Sequence, residues 1–230
     1  MKRSYPQGVL AALTLAGLAI LGALAAPAPV VAEAAVSLPA PAIDNRKAAG
    51  AIQVAVLSGG CFWGVQGVFQ HVRGVRQVLS GYSGGERSTA QYETVSSGTT
   101  GHAESVRISF DPAKVSYGQL LQVFFSVAHD PTQLNRQFPD VGTQYRSAIF
   151  YADEKQKEEA AAFMKELDEA KTFQSSIVTT LEPLTEFYPA EGYHQKFYAN
   201  NPSQGYCQYM IPPKLSKLHK QFSELLKSHK

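Results

Sequence analysis

The chain of 230 residues contains two cysteines, Cys61 and Cys207, and the neighbours of the first are arranged for chemistry. Cys61 stands in Gly59-Gly60-Cys61-Phe62-Trp63-Gly64. An apolar stretch at 51–57 before it reads as a buried strand. The segment after it, 64–72, carries Val65, Val68, Phe69 and Val72 at helical spacing. A cysteine at a strand-to-helix junction meets the unpaired N–H groups of the first helical turn and the positive end of the helix dipole. Both favour the thiolate, so a lowered thiol pKa is expected. The two glycines allow a tight turn that leaves the sulfur accessible. Phe62 and Trp63, the single tryptophan, could seat a small apolar group beside it. On position alone, a buried and inert cysteine remains open as a reading.

Other chemistries are bounded by counting. Two cysteines are too few for a disulfide framework or a four-cysteine zinc site. The six histidines form no His-x-x-x-His pair and there is no Cys-x-x-Cys, so no metal site is expected. A net charge of +2 gives no basic excess for nucleic acid. A 44% hydrophobic, 17% charged composition excludes a disordered chain. Two cysteines in an exported protein ordinarily form a permanent disulfide, so a structural and a redox role for Cys207 both stand at this point.

The leader bears on location. Lys2 and Arg3 precede an apolar run at 9–26, and Pro27 and Pro29 follow it. This is the order of a secretory signal peptide, with small-x-small sites at Ala23-Leu24-Ala25 and Ala32-Glu33-Ala34. An uncleaved membrane anchor is the alternative. Residues 1–34 are therefore read as signal peptide or anchor and 35–50 as a linker. The protein is expected to be exported, to the periplasm, either freed or tethered.

The elements that must position the cysteines alternate along the rest of the chain. Strands are expected at 51–57, 74–82, 103–110, 145–151 and 177–181, the last weakened by Pro183. Helices are expected at 64–72, 116–128, from the Asp153 cap to about Ala170, at 191–200 and at 213–228. The class is α/β (α+β), a mixed sheet with flanking helices. A single catalytic domain spans 51–212, its irregular 202–213 segment carries Cys207, and 213–230 forms a C-terminal amphipathic helix.

Gly60-Cys61-Phe62-Trp63-Gly64 resembles the active-site signature of the class A peptide methionine sulfoxide reductases. Six further blocks resemble that family's in its order: Gly81-Tyr82-Ser83-Gly84-Gly85, Tyr92-Glu93-Thr94-Val95, Gly101-His102-Ala103-Glu104, His129-Asp130-Pro131, Gly142-Thr143-Gln144-Tyr145-Arg146-Ser147 and Gly205-Tyr206-Cys207. The resemblance implies reduction of the S epimer of methionine sulfoxide in proteins, with Cys61 as nucleophile and Glu104 as general acid. Glu104 then needs a raised pKa, which burial supplies. Tyr92 and Tyr145 are implied as phenol donors to the sulfoxide oxygen, Asp140 as a substrate-holding residue, and Phe62 and Trp63 as the seat of the methyl group. His102, His129 and His194 are implied to orient loops.

Cys207 is implied as the resolving cysteine, brought to Cys61 by a mobile tail, with a thioredoxin-like reductant as electron donor and no bound cofactor. A monomer is expected. Some relatives carry a further recycling cysteine, and no cysteine follows Cys207 here. Two other readings differ in class: a cysteine hydrolase pairing Cys61 with a histidine, and a non-catalytic secreted binding domain stapled by one disulfide.

Overall fold

The computed structural model describes residues 38–44 and 51–228. The leader at 1–34 and most of the linker at 35–50 lie outside the described residues.

Six strands form one mixed sheet: β1 (Gln53–Gly59), β2 (Val75–Ser83), β3 (Ala103–Phe110), β6 (Ser147–Tyr151), β7 (Thr180–Pro183) and β8 (Tyr188–Pro189). Their order is β7-β6-β1-β3-β2-β8, and only β6 and β7 run parallel. A separate hairpin pairs β4 (Arg136–Gln137) with β5 (Asp140–Val141). The helices are α1 (Phe62–Gln70), α2 (Tyr92–Val95), α3 (Tyr117–Val123), α4 (Glu154–Glu169), α5 (Phe197–Asn200), α6 (Gly205–Met210) and α7 (Pro212–Gln221). This is the mixed α/β class expected, with helices flanking the sheet.

Strand alternation decides which side chains meet the helices. Ala55 and Leu57 of β1, Val106, Ile108 and Phe110 of β3 and Ile149 of β6 join the main core with Val65, Val68 and Phe69 of α1. Val56, Ala103, Ala148 and Phe150 lie on the opposite face in a smaller cluster with Phe187. Glu104 has the parity of Val106, so β3 turns it toward the helix-covered face, and it is 3% exposed. The strand's first half is buried on both faces, and for that reason simple alternation does not mark Glu104 as an interior residue.

Several boundaries differ from the sequence expectation, each for a local reason. α1 starts at Phe62 with Cys61 as its N-cap. α3 opens with a Ser116–Gln119 capping box and gives way to a π-helical turn over Phe124–Ala128, which keeps Leu120, Leu121, Phe124 and Val127 buried. Tyr145 sits in a 3-10 turn (Thr143–Tyr145) before β6 rather than in the strand. β7 tolerates Pro183 because it is an edge strand. The helix expected at 191–200 is split into a 3-10 turn, Gly192–His194, and α5, since Lys196 adopts φ 55° between them.

Within 202–213 the chain forms α6, capped by the Gln204 side chain accepting the Cys207 N–H at 3.1 Å. α7 begins with Pro212 and Pro213 and ends at Gln221, short of 228. The chain then folds back, with Arg73 N–H donating to Leu225 O at 2.6 Å and Lys227 N–H to His71 O at 2.9 Å. Burying Phe222 and Leu225 in this return is incompatible with continuing the helix.

Candidate active site

The turn between β1 and α1 depends on two glycines. Gly60 has φ +84°, and a Cβ there would lie 2.6 Å from the Gln137 side chain. A Cβ on Gly59 would lie 2.8 Å from the His129 ring. The missing side chains let the β4–β5 hairpin and His129 pack directly on the backbone that carries Cys61. His129 is locked by Phe124 O at 3.0 Å and Ser147 Oγ at 2.7 Å, and burial holds its pKa down at about 3. It is a neutral structural wedge.

Cys61 is partly buried. The Trp63 N–H and the Tyr206 hydroxyl favour its thiolate, and no histidine is among the groups acting on it. Burial first, then the Glu104 charge, pushes the thiol well above its usual pKa, and those two groups do not offset this. The lowered pKa expected from the helix N-terminus is therefore reversed. Desolvation and the Glu104 charge outweigh it, and the first N–H of α1, from Phe62, is taken by Glu104 Oε2 at 2.9 Å.

Glu104 itself is raised to about 8 by burial, against the Phe62 N–H, with Asp140 adding to the rise. β3 is anchored at this point by Ser58 Oγ donating to the Glu104 carbonyl at 2.6 Å. The result is a neutral carboxylic acid near neutral pH, beside a thiol at one helix start.

Tyr92 and Tyr145 enter the same electrostatic neighbourhood. Both are raised by burial and then by Glu104, and both feel Cys61. Tyr92 is placed by Glu191, whose Oε1 accepts the Tyr92 N–H at 2.9 Å while Oε2 accepts the Tyr82 hydroxyl at 2.9 Å. Asp140, on β5, accepts the Tyr206 hydroxyl at 2.8 Å and is raised by burial.

Phe62 is 1% exposed, packed 5.9 Å from the Tyr82 ring and 5.1 Å from His194. The Trp63 indole stacks on Phe197 at 3.7 Å and 8°, donates from Nε1 to His194 Nδ1 at 3.1 Å, and meets Tyr206 edge-on at 5.9 Å. Trp63, His194, Phe197 and Tyr206 thus form one aromatic cluster at the start of α1. Cys207 is also part of this region, one residue after Tyr206, but it is a fully buried free thiol inside α6 rather than part of an exposed tail.

Sequence reasoning named Cys61, Glu104, Tyr92, Tyr145, Asp140, Phe62, Trp63 and Cys207, and these gather around the start of α1 or, for Cys207, next to a residue that touches it. It did not single out Tyr206, Glu191 or Phe197. Tyr206 carried a signal, since it lies inside the Gly205-Tyr206-Cys207 block. Glu191 and Phe197 carried none. Among the described residues, no group of three or more His, Cys, Asp or Glu is placed to hold a metal ion. A cavity of about 430 Å³ between α1 and the edge of β2, lined by Gln66, Gln195 and Lys227 among others, contains none of the residues around Cys61.

A thiol beside a buried carboxyl and an aromatic cluster, set on a mixed α/β fold, fits the site of a thiol-based reductase. The model of the peptide methionine sulfoxide reductase family matches residues 53–226, and the chain belongs to that family, in its class A. It is 56% identical over 181 residues to peptide methionine sulfoxide reductase MsrA 2 of Mesorhizobium japonicum, covering 79% of this chain and 93% of that protein. It is 51% identical to the MsrA of Chromobacterium violaceum, covering 77% of this chain and all of that protein.

Solved structures agree. Reduced Mxr1 of Saccharomyces cerevisiae superposes with a TM-score of 0.62 at 33% identity, over 70% of this chain and 90% of that one. Methionine sulfoxide reductase A of Corynebacterium diphtheriae gives 0.56 at 33% identity, over 66% and 76%. The chain is a peptide-methionine (S)-S-oxide reductase, acting on peptide methionine sulfoxide with a thiol reductant.

Proposed function

We propose that the reduction runs through a sulfenic acid on Cys61 and a Cys61–Cys207 disulfide, in a protein exported to repair oxidised proteins outside the cytoplasm. The observation that carries the chemistry is Glu104, a buried carboxyl raised to about 8 and seated on the first turn of the helix that Cys61 caps. The Cys61 thiolate attacks the sulfoxide sulfur. As the S–O bond weakens, charge develops on oxygen, and protonated Glu104 donates its proton there. The Tyr92 and Tyr145 hydroxyls donate hydrogen bonds to the same oxygen and stabilise the developing charge. The sulfoxide methyl sits against Phe62 and Trp63, where burial contributes roughly 0.8 kcal/mol per carbon.

The oxygen is transferred to Cys61 as the sulfenic acid, and methionine leaves. Cys207 then attacks the Cys61 sulfur, forming the disulfide and releasing water. A thioredoxin-like dithiol reduces that bond directly, since no third cysteine exists to relay it. The enzyme works without a bound cofactor and as a monomer. Its location follows from reading 1–34 as a signal peptide or anchor, and mass measurement of the mature N-terminus tests this.

The mechanism is tested with Cys61→Ser and Cys207→Ser. Cys61→Ser should abolish reduction, because a serine hydroxyl is too weakly acidic to replace the thiolate. Cys207→Ser should reduce about one equivalent of sulfoxide and stop with a dimedone-reactive Cys61. Wild-type turnover with an intact Cys61–Cys207 bond would overturn it.

A further inference from the structure

Cys207 must cross to Cys61 for the proposed disulfide, and the structure shows where the chain that carries it is held. Within α6 the buried side chain is Cys207, and Tyr206 adds its hydrogen bond to Asp140 at 2.8 Å. The firmly held part begins one residue past α6. Ile211 is 0% exposed, and Leu218, Phe222 and Leu225 beyond it are buried as well. Sparse burial marks α6 as the segment that opens at least cost, and Ile211 as the point where the opening stops.

The seat of Ile211 lies on α1, the helix that Cys61 caps. Gly64 and Gly67 stand three apart, on one face of that helix. A Cβ on Gly67 would lie 3.4 Å from Ile211 Cγ2, and one on Gly64 would lie 3.9 Å from Ile211 Cγ1. The two glycines thus let Ile211 approach the helix closely. Beside it, Lys214 Nζ donates to Ala128 O at 2.6 Å, which ties the first turn of α7 to the π-helical turn.

We propose that Ile211 is a positioning residue for the resolving step: seated on Gly64 and Gly67, it tethers Cys207 to the helix that presents Cys61. Gly64 is three residues from Cys61, and Cys207 is four residues from Ile211. Four residues span about 6 Å as helix and at most about 14 Å extended. With Ile211 fixed, opening α6 sweeps Cys207 through a small volume around the start of α1, at an effective concentration set by this short tether. The Cys207 thiol then meets the Cys61 sulfenic acid, the S–S bond forms, and the sulfenic hydroxyl leaves as water with the thiol proton. The inference rests on Cys207 as the resolving cysteine.

The test follows the reduced full-length protein through one turnover of a peptide methionine sulfoxide without added thiol. Rapid quench reads two rates, appearance of the methionine peptide and the subsequent loss of free thiols. Effective concentration falls roughly as the −3/2 power of tether length. Ile211→Ala leaves Lys214 as the next hold, seven residues from Cys207, and should slow thiol loss about twofold. Adding Lys214→Met moves the hold to Leu218, eleven residues away, and should slow it about 4- to 5-fold. Ile211→Val keeps both carbons that touch the glycine positions and should restore the wild-type rate. The methionine peptide should appear at the wild-type rate in all of these, and dimedone-trapped Cys61 should rise as thiol loss slows.

Four glycines inserted between Met210 and Ile211 double the tether and leave the seat intact, and they should slow thiol loss about threefold. The insertion carries the test if near-UV circular dichroism shows that Ile211→Ala does not fold. Thiol loss that is unchanged or faster in these variants overturns the tether, because a helix that is merely loosened delivers Cys207 sooner. Equal slowing of both rates also overturns it, since general destabilisation acts on both. Failure of the tether is separate from failure of the resolving role, which is read from whether a Cys61–Cys207 disulfide forms in one turnover of the wild type.

Discussion

Glu104 accepts the backbone N–H of Phe62 at 2.9 Å, so the acid of the site is seated on the residue that follows its thiol. One joint between β1 and α1 thereby sets the relation of Glu104 to Cys61. That contact favours the ionised carboxylate, yet both groups are neutral at rest. Burial raises each, and the Glu104 charge raises the thiol further. Protonating Glu104 removes one obstacle to forming the thiolate, so the reactive form of the pair carries a single negative charge, on sulfur.

Glu104→Gln preserves the contact with Phe62 but removes the acid. Single-turnover sulfoxide reduction should fall about 100- to 10,000-fold. Stability should move the other way. The folded pKa of Glu104 lies above its unfolded value, so wild-type stability is fully present at low pH and is lost as pH rises through about 8. The glutamine does not titrate. The variant should gain on the wild type by up to about 1.4 kcal/mol per pH unit between these limits. Urea unfolding at low and at mildly alkaline pH measures it, and a difference that does not change with pH refutes the buried acid.

The wild-type rate of the chemical step should decline above about pH 8, where Glu104 ionises. The loss is upward because the protonated form is the active one. Rapid-quench measurement of the first turnover separates this limb from reduction of the disulfide, whose pH dependence belongs to the external thiol.

Cys207 is buried in α6, whose N-terminus Gln204 caps, so opening of this helix is the expected route to the proposed disulfide. Gln204→Ala removes the cap, worth about 0.5–2 kcal/mol at a helix N-terminus. Disulfide formation after a single turnover should accelerate, by about 2- to 30-fold if the whole amount lowers the opening energy. Quenched-flow counting of free thiols reads the rate. No acceleration would mean that Cys207 reaches Cys61 with α6 intact.

Glu191 holds Tyr92 and Tyr82 through its two oxygens. Glu191→Ala leaves a backbone N–H and a phenol without partners, at about 1–3 kcal/mol for each group that stays buried. Both thermal stability and kcat/KM should drop, and Glu191→Gln should restore much of the stability. Activity unaffected by Glu191→Ala would separate Tyr92 placement from catalysis.

Phe197 stacks on Trp63 at 3.7 Å. An aromatic pair of this kind contributes about 0.5–1.5 kcal/mol beyond its buried area. Phe197→Ala should lower kcat/KM by roughly 2- to 10-fold, by freeing the indole of the proposed methyl seat. Trp63 is the single tryptophan, so its emission reports the change directly. An unchanged spectrum with lowered activity would place the effect elsewhere.

The readable part of the site is local along the chain. Gly59, Gly60, Cys61, Phe62 and Trp63 are contiguous, and a strand-to-helix turn needs only neighbouring residues, so its position and its aromatic wall could be read directly. The core stripes of α1 and α3 follow from side-chain period, and the Asp153 cap of α4 from residue type. Glu104 was singled out by resemblance, whereas its burial depends on strand parity and on the helix that covers that face.

The remaining features arise from contacts between distant segments. Which of 11 tyrosines meets Asp140 depends on how α6 docks against the β4–β5 hairpin, and nothing in the residue types specifies that. Glu191 reaches Tyr92 from 99 residues away. Cys207 follows a turn-rich stretch that suggests a loose tail, and packing instead encloses it in a short capped helix. The thiol pKa moves opposite to the local argument for the same reason. A helix N-terminus is a property of a few consecutive residues, but desolvation and the Glu104 charge are imposed by the folded surroundings, and in a low-dielectric interior they outweigh it.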